Sequence, residues 1–533
     1  MKGVLGFVLH AHLPFVRHPE FERFLEENWL FEAISETYLP FLRMCRRLKD
    51  DGVSFRLTIS ISPTLAAMLS DELLQERYIK HAEMLIELGH KEIDRTKNEP
   101  DFHSLADMYT RFFERNLHDF TEEYHRNILW GFKNLEKDGF LEIITTAATH
   151  AFLPLYQSYP EALEAQVQTA VLDYSRTFGK KPKGFWLPES GYYPGIEEIL
   201  RRNSLEYFFT AAHGILFASE KTPYGVYAPL TLPNGMHAFG RDYPTSDAVW
   251  SSEQGYPSDG DYREFYRDIG YDLPMEYVRP YIHEPDVRVC TGFKYYSITG
   301  HTDQKQPYRP EKARQKVIEH ADNFIYNRRK QLKKFEGLME RPPYIIAPFD
   351  VELFGHWWFE GIQWLEQVIR NIAQSDDLSL ITPCDYLSEY PTSQTGQPSF
   401  SSWGNEGYAD VWLDGTNDWI YRHIHKAIER MSELVHRYPD VTGLKLRTLN
   451  QAAREVMLSM ASDWPFIMKT GTMVPYAERR VKEHLYNFNY IYERLCRNTV
   501  DTEWLTTIEK KNNLFPDIDY KIFGKSLVPG KNS

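Results

Sequence analysis

The sequence predicts an α/β fold: a βα barrel of about seven strands, one short of eight, with an inserted helical subdomain and an all-α C-terminal domain. Three observations predict it. Short apolar runs rich in β-formers recur as far as Pro398, long charged segments of helical period separate them, and beyond Pro398 only helical periodicity remains. This alternation is what βα units around a parallel sheet or barrel require.

In chain order the expected strands are residues 4–10, 54–61, 141–146, 184–187, 207–210, 287–293 and 344–348, with 378–381 as a closing element. The first of these is read from MKGVLGFVLHAH, where His10 and His12 interrupt the apolar run before any cleavage-like site, so the segment reads as a strand rather than a leader. Between the second and third strands the helical stretch is longer than one crossover needs. The expected organisation is therefore a discontinuous barrel, 1–61 and 139–398, a helical subdomain, 62–138, and a helical C-terminal domain, 399–533, whose last ten residues should fray. A chain of 533 residues is long enough for more than one core.

Composition excludes several classes. Lys+Arg total 61 and Asp+Glu 75, so 61 − 75 = −14, a charge that repels nucleic acid. Cys45, Cys290, Cys384 and Cys496 are far apart and form no CxxC pair, which points away from a disulfide framework or a cysteine metal site and fits a reducing, cytoplasmic setting. No apolar stretch approaches the roughly 18–20 residues that a membrane span needs. Aromatic residues make up 15% of the chain, including 12 Trp and 34 Tyr, which is more than a core normally uses and suggests ligand-facing rings.

Catalytic groups of a parallel barrel gather where strands end and βα loops begin. Four of the expected strands end in polar-rich runs: LHAHLP, TTAATHAFLP, FWLPESGYYP and IIAPFDVELFGHWWFEG. One carboxylate at a strand end is commonly just a solvated loop residue, but four such ends together are harder to explain that way. Glycosidic cleavage needs one carboxylate at the anomeric carbon and one protonated carboxyl at the leaving oxygen, and Glu189 and Asp350 are the best pair. Glu352 is the rival of Asp350. It lies two residues on, and the residues alone do not choose between them.

His10 and His12 share one face of the first strand, and His150 can approach them from another strand end. Hydrogen bonding to sugar hydroxyls, a metal site and a structural role all remain open. Trp29, Trp250, Trp357, Trp403 and Trp412 lie in polar, Gly-, Ser- or His-rich contexts that suit sugar stacking, with interdomain packing as the alternative.

These motifs run in a fixed order: HAHLP at 10–14, TTAATHAFLPL at 145–155, WLPESGY at 186–192, YGVYAP at 224–229, AFGRD at 238–242, PFDVELFGHWWFEG at 348–361, SSWGNEGYADVW at 401–412 and SDWPFIMKTGT at 462–472. In that order they resemble glycoside hydrolase family 57, and within it the group containing 1,4-α-glucan (glycogen) branching enzymes. The resemblance implies an incomplete (β/α)7 TIM-like barrel, a retaining double displacement with no metal or other cofactor, and a helical C-terminal domain that helps close the cleft. It makes Glu189 the nucleophile and Asp350 the acid/base, with Glu352 supporting. It also places His10, His12, His150, Arg241, Trp250, His356, Trp357, Trp403, Trp412 and Asp463 along the donor and acceptor subsites.

The resemblance further implies that residues 213–239, with Tyr224 and Tyr227, correspond to a mobile loop that shields the intermediate from water; the loop is short here. Two departures stand out. Ser190 replaces the family's usual Cys after the nucleophile, and GYPSDG at 255–260 replaces the usual GYPGDP. The function implied is α-1,4-glucan branching in glycogen synthesis, with amylose or a glycogen-like polysaccharide as partner. An α-amylase or 4-α-glucanotransferase using the same carboxylate pair is the alternative, and a non-catalytic glucan-binding protein is the third reading.

Overall fold

The structure is a computed structural model that describes residues 3–251, 254–283 and 286–524. Among the described residues a ten-stranded sheet supplies a barrel wall of seven parallel strands: β1 (Gly3–Ala11), β2 (Leu57–Ile61), β3 (Leu141–Thr146), β4 (Gly184–Trp186), β5 (Tyr207–Thr210), β6 (His237–Gly240) and β7 (Tyr344–Asp350). They run β7-β1-β2-β3-β4-β5-β6 around the sheet. Closure from β6 back to β7 is a single bridge between Arg241 and Ile346, supported by the Asp242 N–H donating to the Ile346 carbonyl at 2.9 Å. The barrel is thus incomplete, and its weakest seam lies beside Asp350. Leu378–Leu380 pairs in parallel with the start of β1.

Strand alternation sorts the side chains as a barrel demands. From β1, Leu5, Phe7 and Leu9 join the layer under the helices, while Val4 and Val8 point inward to meet Ile144, Trp186, Phe209, Phe239 and Ile346. Two glycines make room for large rings in this interior. A Cβ on Gly6 would lie 2.8 Å or less from the Tyr344 ring, and one on Gly184 would collide with the Tyr207 ring. Those tyrosines span the interior, Tyr344 donating to the Ile381 carbonyl at 2.9 Å and Tyr207 to Glu142 at 2.6 Å.

Helices Pro63–Leu69, Glu72–Arg95, Pro100–His118 and Ile128–Lys137 fill the connection between β2 and β3. The first two begin where Ser62 and Asp71 accept from backbone N–H groups three residues on, so their start points are written in the sequence as N-caps. A second long connection, residues 241–309, holds mostly irregular chain and lies against these helices: Tyr109 donates to the Lys294 carbonyl at 2.7 Å, and Tyr295 to Glu92 at 2.8 Å. After residue 420 the chain is helical, with Tyr421–Arg437, Gly443–Ser459, Asp463–Thr470, Val474–Arg497 and Thr502–Lys511.

One expected strand is overturned. Residues 287–293 form no strand of the sheet: Val287 makes an isolated bridge to His283, and the N–H groups of Thr291 and Gly292 turn to meet the buried Asp268 carboxylate at 2.9 Å, with Gly292 at φ 84. The strand that stands between β5 and β7 is instead β6, inside the segment expected to be a mobile loop. That segment is ordered into Ala212–Leu216, a short turn at Gly225–Tyr227, the pair Leu230–Thr231 and β6 itself. Apart from Gly524, the expected fraying of the last ten residues falls outside the described residues.

Since the two interior tyrosines occupy space that only glycine leaves, Gly184→Ala should destabilise the barrel by about 1–3 kcal/mol through overpacking. A thermal melt showing no loss of melting temperature would contradict this account of the interior.

Candidate active site

Glu189 sits in the turn after β4, held in the left-handed region at φ 61, ψ 22 and followed by Ser190 at φ 51. Such a conformation costs a non-glycine residue about 1–2 kcal/mol and persists only where its surroundings enforce it. Here they do. The Ser190 and Gly191 N–H groups donate back to Leu187 and Pro188, and the Trp403 N–H donates to the Glu189 carbonyl at 2.9 Å. Both carboxylate oxygens are then claimed by side chains remote in sequence: Trp403 Nε1 donates to Oε2 at 2.7 Å, and Ser462 Oγ donates to Oε1 at 2.9 Å.

Behind Ser462 runs a histidine chain whose tautomers follow from proton counting. Because Ser462 gives its proton to Glu189, its Oγ must accept from His150 Nδ1, 2.8 Å away. A neutral His150 then accepts at Nε2 from His10 Nε2, at 2.9 Å, which leaves His10 Nδ1 bare, and it has no partner. Burial first, and then the neighbouring His12, hold both His10 and His150 far below the ordinary imidazole range, consistent with two neutral rings. His10 also stacks on Trp186 at 4.6 Å, and His150 is another left-handed residue, at φ 57.

His12 is the opposite case. Burial disfavours its charge, yet the Asp463 carboxylate at 3.0 Å, with Glu189 and Glu352 nearby, raises its pKa overall. As an imidazolium it donates to Asp463 and to Ser62 Oγ, 3.0 Å from Nδ1.

Asp350 ends β7. Burial first, then the charges of Glu352 and Glu189, push its pKa well above the carboxylate range, with Arg241 opposing. Glu352 is raised to about 7 by burial, and its Oε1 receives the Tyr38 hydroxyl at 2.5 Å and the His12 N–H at 3.2 Å. Glu189 is also raised to about 7, by burial, against the pull of the Trp403 and Ser462 donors. Three carboxyls therefore share one pocket with too little solvation to ionise together. Glu352 is tied into the wall, whereas no hydrogen bond reaches the Asp350 carboxyl among the described residues.

The other expected site residues divide by environment. Arg241 lies 5.8 Å from the Trp403 ring and donates from Nε to Ser246 at 2.8 Å. His356 donates to Glu36 at 2.6 Å, Trp357 is exposed, and Trp250 is partly exposed near Phe349. Trp29 is half-buried, edge-on to Tyr476 of the C-terminal helices. Trp412 is fully buried, stacked on Phe152 at 4.9 Å, so its ring faces are taken by packing. Tyr224 and Tyr227 turn away from the carboxylates: the Tyr224 N–H donates to Gln394, and Tyr227 receives Gln331 Nε2 and packs on Phe335. The GYPSDG loop rests on helix Pro310–Leu332, where Tyr256 donates to Asn323 at 2.8 Å.

His12, His150 and Asp463 could each offer an atom to an ion, since those atoms lie within 4.8 Å of one another. The same atoms are engaged in the hydrogen bonds above. Residues the sequence did not single out are Ser462, Ser62, Tyr38 and Glu36. Ser462 had a signal, its place beside Asp463 in SDW, while the others become visible only when the chain is folded.

Buried, unequal carboxyls at the strand-end mouth of a βα barrel, ringed by indoles and neutral donors, define the class of carbohydrate-active barrel enzymes. Residues 6–399 match the family described as glycosyl hydrolase family 57, and residues 423–523 match the 1,4-alpha-glucan branching enzyme C-terminal domain. The chain belongs to glycosyl hydrolase family 57. It is 33% identical to a 1,4-alpha-glucan branching enzyme of Thermococcus kodakarensis, over 97% of this chain and 78% of the relative. Among solved structures it is similar to the alpha-amylase AmyC of Thermotoga maritima, with a TM-score of 0.93 and 45% identity over 99% of this chain and 100% of that one. It is also similar to a branching enzyme of Pyrococcus horikoshii, with a TM-score of 0.88 and 34% identity over 99% and 98%. No helix among the described residues is long and apolar enough to cross a membrane.

Ser462→Ala removes a donor that favours the ionised form of Glu189, so the pKa of Glu189 should rise. The acid limb of the kcat/KM profile should then move to higher pH. An unmoved acid limb would separate Ser462 from the titration of Glu189.

Proposed function

We propose that the protein is a retaining 1,4-α-glucan branching enzyme. What supports branching is the match of residues 423–523 to the branching enzyme C-terminal domain and the 33% identity to a branching enzyme; what supports the retaining step is the inequality of the two carboxyls, Glu189 held by two donors that favour its anion and Asp350 pushed toward its protonated form. Glu189 attacks the anomeric carbon as Asp350 gives its proton to the departing glucan oxygen, leaving a glycosyl ester on Glu189. Ester formation abolishes the Glu189 charge, one of the causes that hold Asp350 protonated. Asp350 thereby becomes the base that the second step needs. It takes the proton of an acceptor 6-hydroxyl, whose oxygen displaces Glu189 and forms the α-1,6 branch. The substrate is an α-1,4-glucan such as amylose or a glycogen-like chain, and glycogen synthesis in the cytoplasm is the setting. Barrel, helical insert and C-terminal helices act as the three expected units, with the last supplying Trp403, Ser462 and Asp463.

A second reading, hydrolysis or transfer to a 4-hydroxyl, is favoured by the 45% identity to an alpha-amylase and by Tyr227 lying against helix Pro310–Leu332 instead of over the carboxylates. The first chemical step is common to both. Products decide: proton NMR of amylose digests should show new α-1,6 signals, and reducing ends alone would make the protein an amylase.

Glu189→Gln cannot form the ester and should lose at least about 10³-fold in kcat. Retention of parental activity would remove Glu189 from the nucleophile role. Glu352→Gln deletes a negative neighbour that raises the Asp350 pKa, so the alkaline limb should shift to lower pH while a chelator leaves the rate unchanged. A rate lost to chelator and restored by a divalent ion would instead assign His12, His150 and Asp463 to a metal.

A further inference from the structure

The contacts divide the cleft into two sides. Glu189 is held by Trp403, by Ser462 and, through Ser462, by His150. Asp350 shares that pocket, where it feels the charge of Glu189, and on its other side Glu352 and Tyr38 lead to the π-helical turn Ile34–Tyr38, whose Glu36 grips His356. An acid/base stands beside the leaving oxygen in the first step and beside the incoming hydroxyl in the second, so the surface beyond Asp350 faces the acceptor.

That surface carries rings and a carboxylate with no part in the catalytic steps. Trp357, 54% exposed, stacks on Phe265 at 4.6 Å with the planes 25° apart, and Tyr266, 78% exposed, meets Phe265 edge-on at 5.1 Å. Phe265 itself is half-buried, with the Lys294 ammonium 4.8 Å from its ring centroid, so it backs Trp357 and leaves the outer face of Trp357 open. Beside them is Glu32, from helix Asn28–Ala33, its side chain 24% exposed. The charged cluster behind it is paired without its help: Glu36 with His356 at 2.6 Å and Arg263 at 3.8 Å, and Lys294 with Asp268 at 3.5 Å. Among the described residues no hydrogen bond reaches Glu32, and its nearest cation, His356 Nε2, is 3.9 Å away. Half-exposed Tyr271 is close enough to sense the charge of Glu32.

We infer that Glu32, Phe265 and Tyr266, together with Trp357, form an outlying subsite for the acceptor chain, a neutral α-glucan segment. Sugar faces lie on Trp357, which Phe265 supports from behind, and Glu32 hydrogen-bonds their hydroxyls. Burial raises Glu32 to about 7, so it can accept from or donate to sugar hydroxyls, and on a protein of net charge −14 it favours a neutral polyhydroxyl ligand over a phosphorylated or acidic one. The inference rests on the glucan reading above and adds the surface that favours transfer over hydrolysis.

Two variants, Glu32→Ala and Phe265→Leu, test it by two measurements. On amylose, α-1,6 product should fall several-fold more than released reducing ends, because the donor side is untouched and water competes better for the ester. In the Glu189→Gln background, calorimetric titration with maltoheptaose should show affinity reduced about tenfold, the size of one lost aromatic or charged contact. Proportional loss of both products, or maltoheptaose affinity within twofold of the Glu189→Gln parent, would overturn the subsite. A parent that cleaves amylose without transfer sinks branching alone and leaves the titration to decide the subsite. A parent that neither binds maltoheptaose nor cleaves amylose sinks the glucan reading and the subsite with it.

Discussion

The site depends on how Glu189 is held. Its backbone occupies a region that a side chain resists, and its two oxygens are satisfied by Trp403 and Ser462, 214 and 273 residues further along the chain. Neither donor belongs to the sheet. Both arrive on segments pinned by backbone pairing at the strand ends: Tyr192 bridges Ser401, Ala151 bridges Ala461, and the Ser462 N–H donates to the His150 carbonyl at 2.9 Å. The chain beyond residue 399 is therefore part of the site and no mere cover: displacing its helices would take the Ser462 hydrogen bond from Glu189 Oε1, and displacing the loop before them would take the Trp403 bond from Oε2. The strained turn and the docked helices are one constraint seen from two ends.

Electrostatics follow from that constraint. A carboxylate with two donors can stay ionised in a dry pocket, whereas Asp350, with none and with two negative neighbours, stays protonated. Their protonation states belong to the pair more than to either residue, since the ionisation of one raises the pKa of the other. Glu352 could have competed as a third carboxyl. The Tyr38 hydroxyl and the His12 N–H engage it instead, so that its charge tunes Asp350 from the wall. The protons donated in turn by His10, His150 and Ser462 give the chain one direction, ending on the Glu189 carboxylate.

Much of this was legible in the sequence because strand ends are. Short apolar runs rich in β-formers located β1 to β5 and β7, and the polar-rich ends of those runs include His10, His12, His150, Glu189 and Asp350. What was not legible has a physical reason in each case. β6 is four residues long and ends on glycine, while 287–293 has the better strand pattern, yet its Thr291 and Gly292 amides solvate the buried Asp268 carboxylate. Trp412 sits in a glycine-rich run that suggests a ligand loop, but Gly404 lets its ring lie close against the chain and stack on Phe152. Glu32, Glu36 and Tyr38 read as ordinary helical residues, because nothing local announces the π turn that directs Glu36 and Tyr38 toward the loop after β7.

That π turn connects the chemistry to the question of the acceptor. Through Tyr38 it touches the carboxyl that tunes Asp350, and through Glu36 it fixes His356 beside the exposed ring of Trp357 and the half-buried Phe265. Gly355, at φ 103, is what allows the approach, since a Cβ there would strike the Glu36 carbonyl. The segment that sets the proton affinity of the acid/base therefore also shapes the surface on which an incoming chain would lie. Water needs no such surface to reach a glycosyl ester, but a polysaccharide hydroxyl does, because it must be held in line with Glu189 long enough to be deprotonated. On the proposed roles of Glu189 and Asp350, which serve hydrolysis and transfer alike, the choice between the two reactions would belong to the groups on the Asp350 side of the cleft.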